Sequence, residues 1–570
     1  MKFGRLTSES MKSLLVSIAA MSLFDGLASP LRLVSQEQKE LRGLEGERKG
    51  EHHRYKFVDL GTFGGPASYI NNAMALGAPN QINKPGTAVG AAAAATPIPP
   101  PPPNTQICGG IHGSVPFIFH AFAWQNGRLT DLGALGASPD VECSEAVSIN
   151  ANGEIAGRSE NGVIDPVALQ GGLAIEEARA VLWKDGEIKD LGTLGGNHSL
   201  AIAINNRGQV VGFAQDATPD PFSLLYFLAG GLTNGTQTRG FLWQKGHMQD
   251  LGTLGGPDTQ AFGLNERGEA IGISYINSTP NPATGVPTAD PFLWAEERGM
   301  IDLGTLGGVW GGAGSMNNQG QVLGTSSVAA DPGACLNSMG SPTPTCHPFL
   351  WDDGKLIDLS TETIGGNPVS ANAINDAGEV VGQAIFSNQF LHAYRWRNGV
   401  ATDLGTLPGD CFSEADAINA RGQVVGQSLS CDFFTSGKGS VFLWENGSMI
   451  DLNAFVPPGS GVQLAEGFAI NDRGEIGGLD LPPSCTGVPV GNDAQCGHAY
   501  VMIPCDGDQA DAEGCQDLPE STNVAAQSNP APVTQTSTNV IQGRLTPEML
   551  AAFRAQFACR HRGFGMRAQN

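Results

Sequence analysis

Apolar residues in this chain come in short runs broken by Gly, Asn and Asp, and residues 199–251 show the pattern in full. Residues 199–205, Ser-Leu-Ala-Ile-Ala-Ile-Asn, alternate large and small side chains; 205–208 hold the turn residues Asn205 and Gly208; and 209–214 return as Gln-Val-Val-Gly-Phe-Ala. Residues 240–243, Gly-Phe-Leu-Trp, are an aromatic run, and the Lys245-Gly246 turn leads into 248–251. Runs of this length with a period of two predict strands rather than helices. Asn followed by Gly three positions later suits a type I hairpin turn, with Gly taking the positive φ. The stretch therefore predicts four short antiparallel strands.

That unit recurs. Asp-Leu-Gly-Thr-Leu-Gly-Gly stands word for word at Asp190, Asp250 and Asp302, with looser copies at Asp59, Asp131, Asp358, Asp403 and Asp451. The Asn of the turn returns as Asn83, Asn150, Asn205, Asn265, Asn317, Asn375, Asn419 and Asn471. The aromatic strand ends in Trp124, Trp183, Trp243, Trp294, Trp351, Trp396 and Trp444, with Met502 in the last copy. Four strands per repeat, with Trp positions 45 to 60 residues apart, describe a β-propeller blade. An all-β propeller of eight four-stranded blades follows, spanning 55–505; seven blades plus an extra sheet is the alternative. The strand before each Asn, rich in small residues such as Ala201, Ala203, Ala415 and Ala417, belongs innermost. The outer-type strand at 55–60 matches the outer strand that the last copy, 498–502, lacks, so it closes the ring and removes an exposed edge. The alanine and proline stretch 91–103 is expected to be an exposed loop, because Pro lacks the ladder donor.

Composition bounds the rest. The 78 glycines and 15 % charged residues fit a turn-rich β protein, and a formal charge of −24 argues against nucleic acid as a partner. Residues 1–28 carry Lys2, Arg5 and Lys12, an apolar core at 13–24 and a small-residue site at Gly26-Leu27-Ala28, the layout of a secretory signal. A buried helix is the other reading of that segment. No other stretch is apolar enough to span a bilayer, so the expected product is a secreted or cell-surface protein, monomeric, without a transmembrane segment. A charged leader at 29–54 precedes the propeller; an acidic loop and linker at 506–544 and a short helix with its tail at 545–570 follow it.

All eleven cysteines lie beyond residue 100, ten of them in pairs: Cys335 with Cys346, Cys411 with Cys431, Cys485 with Cys496, Cys505 with Cys515, and less obviously Cys108 with Cys143, which leaves Cys559 alone. Behind a signal sequence such pairs read as disulfides, each worth about 2 to 4 kcal/mol. Zinc competes, but the spacings exceed those of structural zinc ligand pairs.

His-Ala-Phe-Ala-Trp at 120–124, the Asp-Leu-Gly-Thr-Leu-Gly-Gly phrase, and Ile-Asn-x-x-Gly-Gln-Val-Val-Gly at 204–212 and 418–426 resemble the HAF repeat of extracellular bacterial proteins over roughly 55–505. The resemblance implies a secreted repeat protein and brings no activity with it. The His slot is kept at His120, His347, His392 and His498 but is Arg179, Arg239, Asp290 and Ser440 elsewhere, which argues against a catalytic His ring.

The repeated Asp and Asn residues read first as partners for backbone donors in every blade, and the His slot as a hydrogen bond to a neighbouring Asp or Ser. The Gly-Gly pairs lack the Lys-Ser/Thr of a phosphate loop and read as positive-φ, close-approach positions. In the acidic loop Asp506, Asp508 and Asp511 are candidate calcium ligands, although Ala510 breaks the EF-hand spacing; no other cofactor is expected. No Gly-x-Ser-x-Gly or His-Glu-x-x-His motif occurs. The reading is a binding or scaffold module for an extracellular glycan or protein. One connection varies greatly in length, within 215–239, 277–290, 326–347 and 91–119, and its face is where specificity belongs. Trp310 and Tyr226 are the candidate aromatic contacts there, with core packing as the other and more common role for each. A carbohydrate-active hydrolase or lyase and a purely structural surface protein are the alternatives.

Overall fold

In the computed structural model the strand ladders group into eight four-stranded antiparallel sets, two of them joined by one parallel bridge between Ala289 and Trp310. The structure describes residues 54–70, 80–97, 105–106, 117–136, 142–166, 174–224, 235–337, 345–387, 390–432, 439–485, 496–505 and 515. The signal and leader segments, the acidic loop apart from Cys515, and the C-terminal stretch lie outside them.

Blade 3 shows the pattern: Ser199–Ile204 pairs with Val210–Asp220, that strand with Gly235–Gln244, and that one with His247–Asp250. Blade 1 runs from Gly64–Tyr69 to Arg128–Asp131 and blade 2 from Ser144–Ile149 to Glu187–Asp190. Blade 8 is Gln463–Ile470, Ile476–Leu481 and His498–Pro504, completed by the N-terminal strand Tyr55–Asp59 in the register Tyr55 to Pro504 and Asp59 to Tyr500. The fold is a β-propeller closed by its first strand.

Local chemistry explains the turns. After the aromatic strand, Lys245 (φ 52°) and Gly246 (φ 85°) both take positive φ, and Asn126, Asp185, Asp353, Asn398 and Asn446 do so in other blades. This is the type I′ turn whose twist matches a hairpin. Six of the eight inner strands also carry a feature that the sequence pattern does not announce. The register slips between Ala201 and Ala203, and a Cβ on Gly212 opposite would come within 1.9 Å of the Leu200 carbonyl. The slip recurs in blades 2, 4, 5, 7 and 8. The Gly of Val-Val-Gly is there because a bulge presses backbone against it.

The core lies between blades. Ala156, Leu182 and Leu191 of blade 2 and its outgoing segment pack on Ala201, Val210, Phe241 and Trp243 of blade 3. Leu60, Ile70, Phe122 and Trp124 meet Ala469, Ala499 and Val501 across the closure.

The Asn residues do more than cap their own turns. Asn205 Oδ1 accepts the amides of Arg207 and Gln209, while its Nδ2 donates to the Asn265 carbonyl of the next blade at 3.0 Å. The same inter-blade bond runs from Asn83 to Asn150, Asn150 to Asn205, Asn265 to Asn317, Asn317 to Asn375, Asn375 to Asn419, Asn419 to Asn471, and from Asn471 back to Asn83. Eight asparagines thus form a closed ring in which each is buried.

Two expectations are corrected. Alanines 91–95 are not an exposed loop: Ala88–Pro97 is the second strand of blade 1, paired with Tyr69 and His120, and Ala91, Ala92 and Ala93 are fully buried. The alanines satisfy the ladder before the proline run begins, and residues 98–103 lie outside the described residues. In blade 6 the inner strand is split into Asn367–Pro368 and Ala373–Ile374, since Pro368 cannot donate and the Val369 and Ser370 amides both turn to the Gln383 carbonyl.

Candidate functional site

The strand directions give the propeller two unlike faces. One carries the tight turns, Asn-x-x-Gly and the type I′ pair, together with the asparagine ring. The other, called here the insertion face, receives the start of every inner strand, the end of every second strand and the connections that vary. Cys335–Cys346, Cys411–Cys431 and Cys485–Cys496 are disulfides on the insertion face, and Cys505–Cys515 is a fourth at the end of the last strand on the turn face. Cys143 is also disulfide-bonded; its expected partner Cys108 lies outside the described residues.

The repeated residues are spent on structure. Each motif Asp accepts the amide two residues on, as with Gly192 on Asp190 and Gly252 on Asp250, both at 2.7 to 2.8 Å. His120, His347, His392 and His498 bond through Nδ1 to Asp131, Asp358, Asp403 and Asp59 at 2.8 to 3.0 Å, and Arg239 replaces His against Asp250. Burial raises the pKa of the Asp131 carboxyl, but the bonds from His120 and the Gly133 amide outweigh it and hold the group below the usual range. Gly195 has φ 115°, and a Cβ on Gly196 would lie 2.5 Å from the Asp216 carbonyl, the close approach expected of the Gly-Gly pair.

What departs from the repeat is a set of buried carboxyl groups, and these gather on the insertion face. Asp480, at the end of the second strand of blade 8, is fully buried with no hydrogen-bond partner for either oxygen. Burial, then the charge of Asp59, push it up to about 8, against a smaller opposing effect of His498. Cross-strand register explains the meeting: Asp480 faces His498, Asp59 faces Tyr500, and a period of two puts His498 and Tyr500 on one side of the sheet. In blade 2, Glu142, Glu160 and Glu176 converge; Glu142 is pushed up to about 8 by burial and by its neighbours Glu176 and Glu160. Where blade 3 meets blade 4, Asp258 accepts the amides of Leu224 and Thr238 and is pushed up to about 8 by burial and by Asp220. In the His slot of blade 4, Asp290 faces Asp302 and is raised to about 6 by burial and that charge. Among the described residues, the sets able to hold a cation are Asp59, Asp480 and His498, and Glu142, Glu160 and Glu176. Sequence reading missed both; for Asp480 the one available signal was an acid at a slot that the other copies fill with Ser or Ala.

Trp310 is not an exposed contact. It is 7 % exposed, packs edge-on against Tyr275 at 6.2 Å and belongs to the core under blades 4 and 5, because strand alternation turns it inward. Tyr226 and the calcium candidates Asp506, Asp508 and Asp511 lie outside the described residues. An open cavity of about 340 Å³ lies between blades 7 and 8, lined by Ser440, Asn453, Val456, Pro457, Gly461 and Gln463. Its rim residue Gln463 pairs with Leu481, next in the chain to Asp480. No helix among the described residues is long and apolar enough to cross a membrane.

No family model matches the chain. A search of curated proteins likewise finds no match. Solved structures do resemble it in fold. The β-propeller domain of the Trilobed protease from Pyrococcus furiosus aligns at 10 % identity and TM-score 0.32 over 60 % of this chain and 89 % of that one. A puromycin hydrolase aligns at 12 % and 0.32, over 65 % of this chain and 62 % of its own length. Prolyl oligopeptidase B from Galerina marginata aligns at 9 % and 0.35, over 84 % and 61 %. The chain thus spans about three fifths of the latter two structures.

Proposed function

We propose that this protein is a secreted binding module of the HAF-repeat kind, engaging an extracellular glycan or protein through its insertion face. The observation that carries the reading is the contrast between the faces: the turn face repeats one bonded unit in every blade, while insertions, three disulfides and unrepeated acids share the other. Loops that change on a fixed scaffold are where recognition is built.

Glycan arrays and protein capture with the full chain test this, alongside a variant in which residues 225–234 are replaced by a short Gly-Ser linker. The cut begins after Leu224 because that side chain is fully buried in the core. Altered binding with an unchanged melting temperature is the expected result; unchanged binding to every ligand overturns the assignment of the face. A carbohydrate hydrolase or lyase is the second reading, favoured by the carboxyl groups pushed up to about 8, which are protonated at neutral pH as a general acid must be. Release of reducing ends from a bound glycan, lost in Glu142→Gln, would establish it. Secretion is tested by sequencing the N-terminus of exported protein, with cleavage after Ala28 expected.

A further inference from the structure

We propose that Asp59, Asp480 and His498 form a binding site for one divalent transition-metal ion of the zinc class, set in the blade that joins the two ends of the propeller. Four observations converge on it.

The three side chains stand on adjacent strands, and their ligand atoms lie within 4.8 Å of one another. Asp59 belongs to the first strand of the propeller and His498 to its last, with Nδ1 of the imidazole 3.0 Å from an Asp59 oxygen. Two ligands of one ion bound at about 2.0 to 2.1 Å sit at such a separation.

Asp480 points into the cluster fully buried, and neither of its oxygens has a hydrogen-bond partner. A buried carboxylate left so is expensive unless something cationic completes it.

The repeat supplies an internal control. The residue facing the His slot is Ala92, Ser159, Ala214, Ser274, Ser326, Ala384 and Ser428 in the other seven blades, and Asp only at 480. The fold therefore works with a small residue there, and Asp480 answers to something other than folding.

The imidazole is also oriented for the task. Its remaining hydrogen bond goes to the Pro66 carbonyl, the arrangement that typically fixes a metal-binding histidine and leaves the other nitrogen to the ion. Asp59 and His498 side chains are 35 % and 21 % exposed, so an ion enters from the insertion face. On entry it replaces the proton held between Nδ1 and Asp59 and the proton carried by Asp480, and both pass to solvent. Three protein ligands leave a position open to water or to an oxygen of a ligand on that face. Imidazole with two carboxylates selects Zn²⁺ or Co²⁺ over Mg²⁺ and Ca²⁺.

The test uses the full chain, stripped with a chelator and titrated with Zn²⁺ and with Co²⁺ by calorimetry and metal analysis at pH 7.5. Two variants borrow what other blades carry and so preserve the fold: Asp480→Ser, the residue at Ser159, Ser274, Ser326 and Ser428, and His498→Arg, which keeps an ion pair with Asp59 as Arg239 does with Asp250. The expected result is one equivalent bound with micromolar or tighter affinity, a raised melting temperature, and loss of that equivalent and of the thermal shift in both variants, whereas His247→Ala, at an exposed histidine on the turn face, retains them. Wild type binding no Zn²⁺, variants keeping the full stoichiometry, or Ca²⁺ alone producing the Asp480-dependent shift would each overturn the proposal. Because the readout is metal content and melting, it stands or falls separately from glycan or protein binding.

Discussion

The turn face and the insertion face are made from the same eight repeats, yet polar groups are treated oppositely on them. On the turn face seven of the eight buried Asn have their acceptor filled by two amides, Asn83 by that of Thr87 alone because Pro85 has none, and all eight spend their donor on the next blade. On the insertion face Asp480, Glu142 and Asp220 keep oxygens with no hydrogen bond. A structural solution, once found, is copied into every blade; a residue that costs stability appears once. The difference separates scaffold from function without any comparison to another protein.

Breaking the ring should have the largest effect. Asn205→Ala leaves the Arg207 and Gln209 amides without their acceptor and takes one bond each from the Asn265 carbonyl and the Gln209 side chain, and at about 1 kcal/mol for each lost bond a loss of roughly 4 kcal/mol is expected. Its exposed neighbour is the control. Asn206→Ala, which gives up the Nδ2 bond to Glu266 and the acceptor of the Ala151 amide, both at the surface, should stay within about 0.5 kcal/mol. Urea unfolding of both variants checks the contrast, and equal losses would mean that the ring is not what holds adjacent blades together.

The insertion face should instead reveal itself through pH. Asp258 holds its proton in the folded protein up to about 8, well above the ordinary carboxylate value of 3.8, chiefly through burial and then through Asp220. Between those values the folded state binds more protons than the unfolded one, so stability is complete at acid pH and falls as pH rises through about 8. Asp220→Asn removes the repelling charge and can donate to Asp258. At pH 9 it should be more stable than wild type by roughly 3 kcal/mol, about half of what the full change in proton affinity implies, with little difference at pH 5. Thermal melts across that range decide it, and parallel curves for the two proteins would count against the pair.

Opening a single clamp on the same face should cost slightly less. Cys335→Ser with Cys346→Ser frees a loop closed over 11 residues, for which chain entropy gives about 2 to 3 kcal/mol. The buried positions of both cysteines keep the local packing, so the loss should appear in the melting temperature without a change in the circular dichroism of the folded state.

Much of the scaffold was legible in the sequence because it is periodic. Strand alternation, Asn-x-x-Gly, the terminal Trp and the unpaired strand at 55–60 each follow from local chemistry, and the structure places them as blades closed by Tyr55–Asp59. Bonds across blades were not legible: that Asn471 reaches Asn83 depends on closure of the ring, which spacing alone does not show. Nor was the bulge, since the Gly of Val-Val-Gly reads as an ordinary strand glycine until Leu200 is placed against it. For Trp310 both exposure and core packing stood open, because one aromatic in a Gly-rich run gives no sign of which way the strand faces, and the structure buries it. The candidate site was the least legible part. Asp480 is a single departure within eight copies, and it stands out only once register sets it opposite His498.

The His slot tests the contrast at its smallest scale, since it lies on the insertion face yet behaves as scaffold. His120 bonds Asp131 at 2.8 Å, and the Asp131 side chain is 44 % exposed, so water screens the pair and leaves it worth under about 1 kcal/mol. Blade 7 manages with Ser440 in that slot, which makes His120→Ser the natural variant. The Asp131 carboxyl is held below its ordinary value by His120 and the Gly133 amide despite its partial burial, so the bond contributes above about pH 4 and is lost as pH falls through the lowered folded value. Wild type and His120→Ser should therefore differ by a few tenths of a kcal/mol at pH 6 and converge below about pH 3. If the variant instead lost several kcal/mol, or lost ligand binding with its stability intact, the histidines would belong with Asp480 among the functional residues, and the division between copied scaffold and singular site would have to be drawn elsewhere.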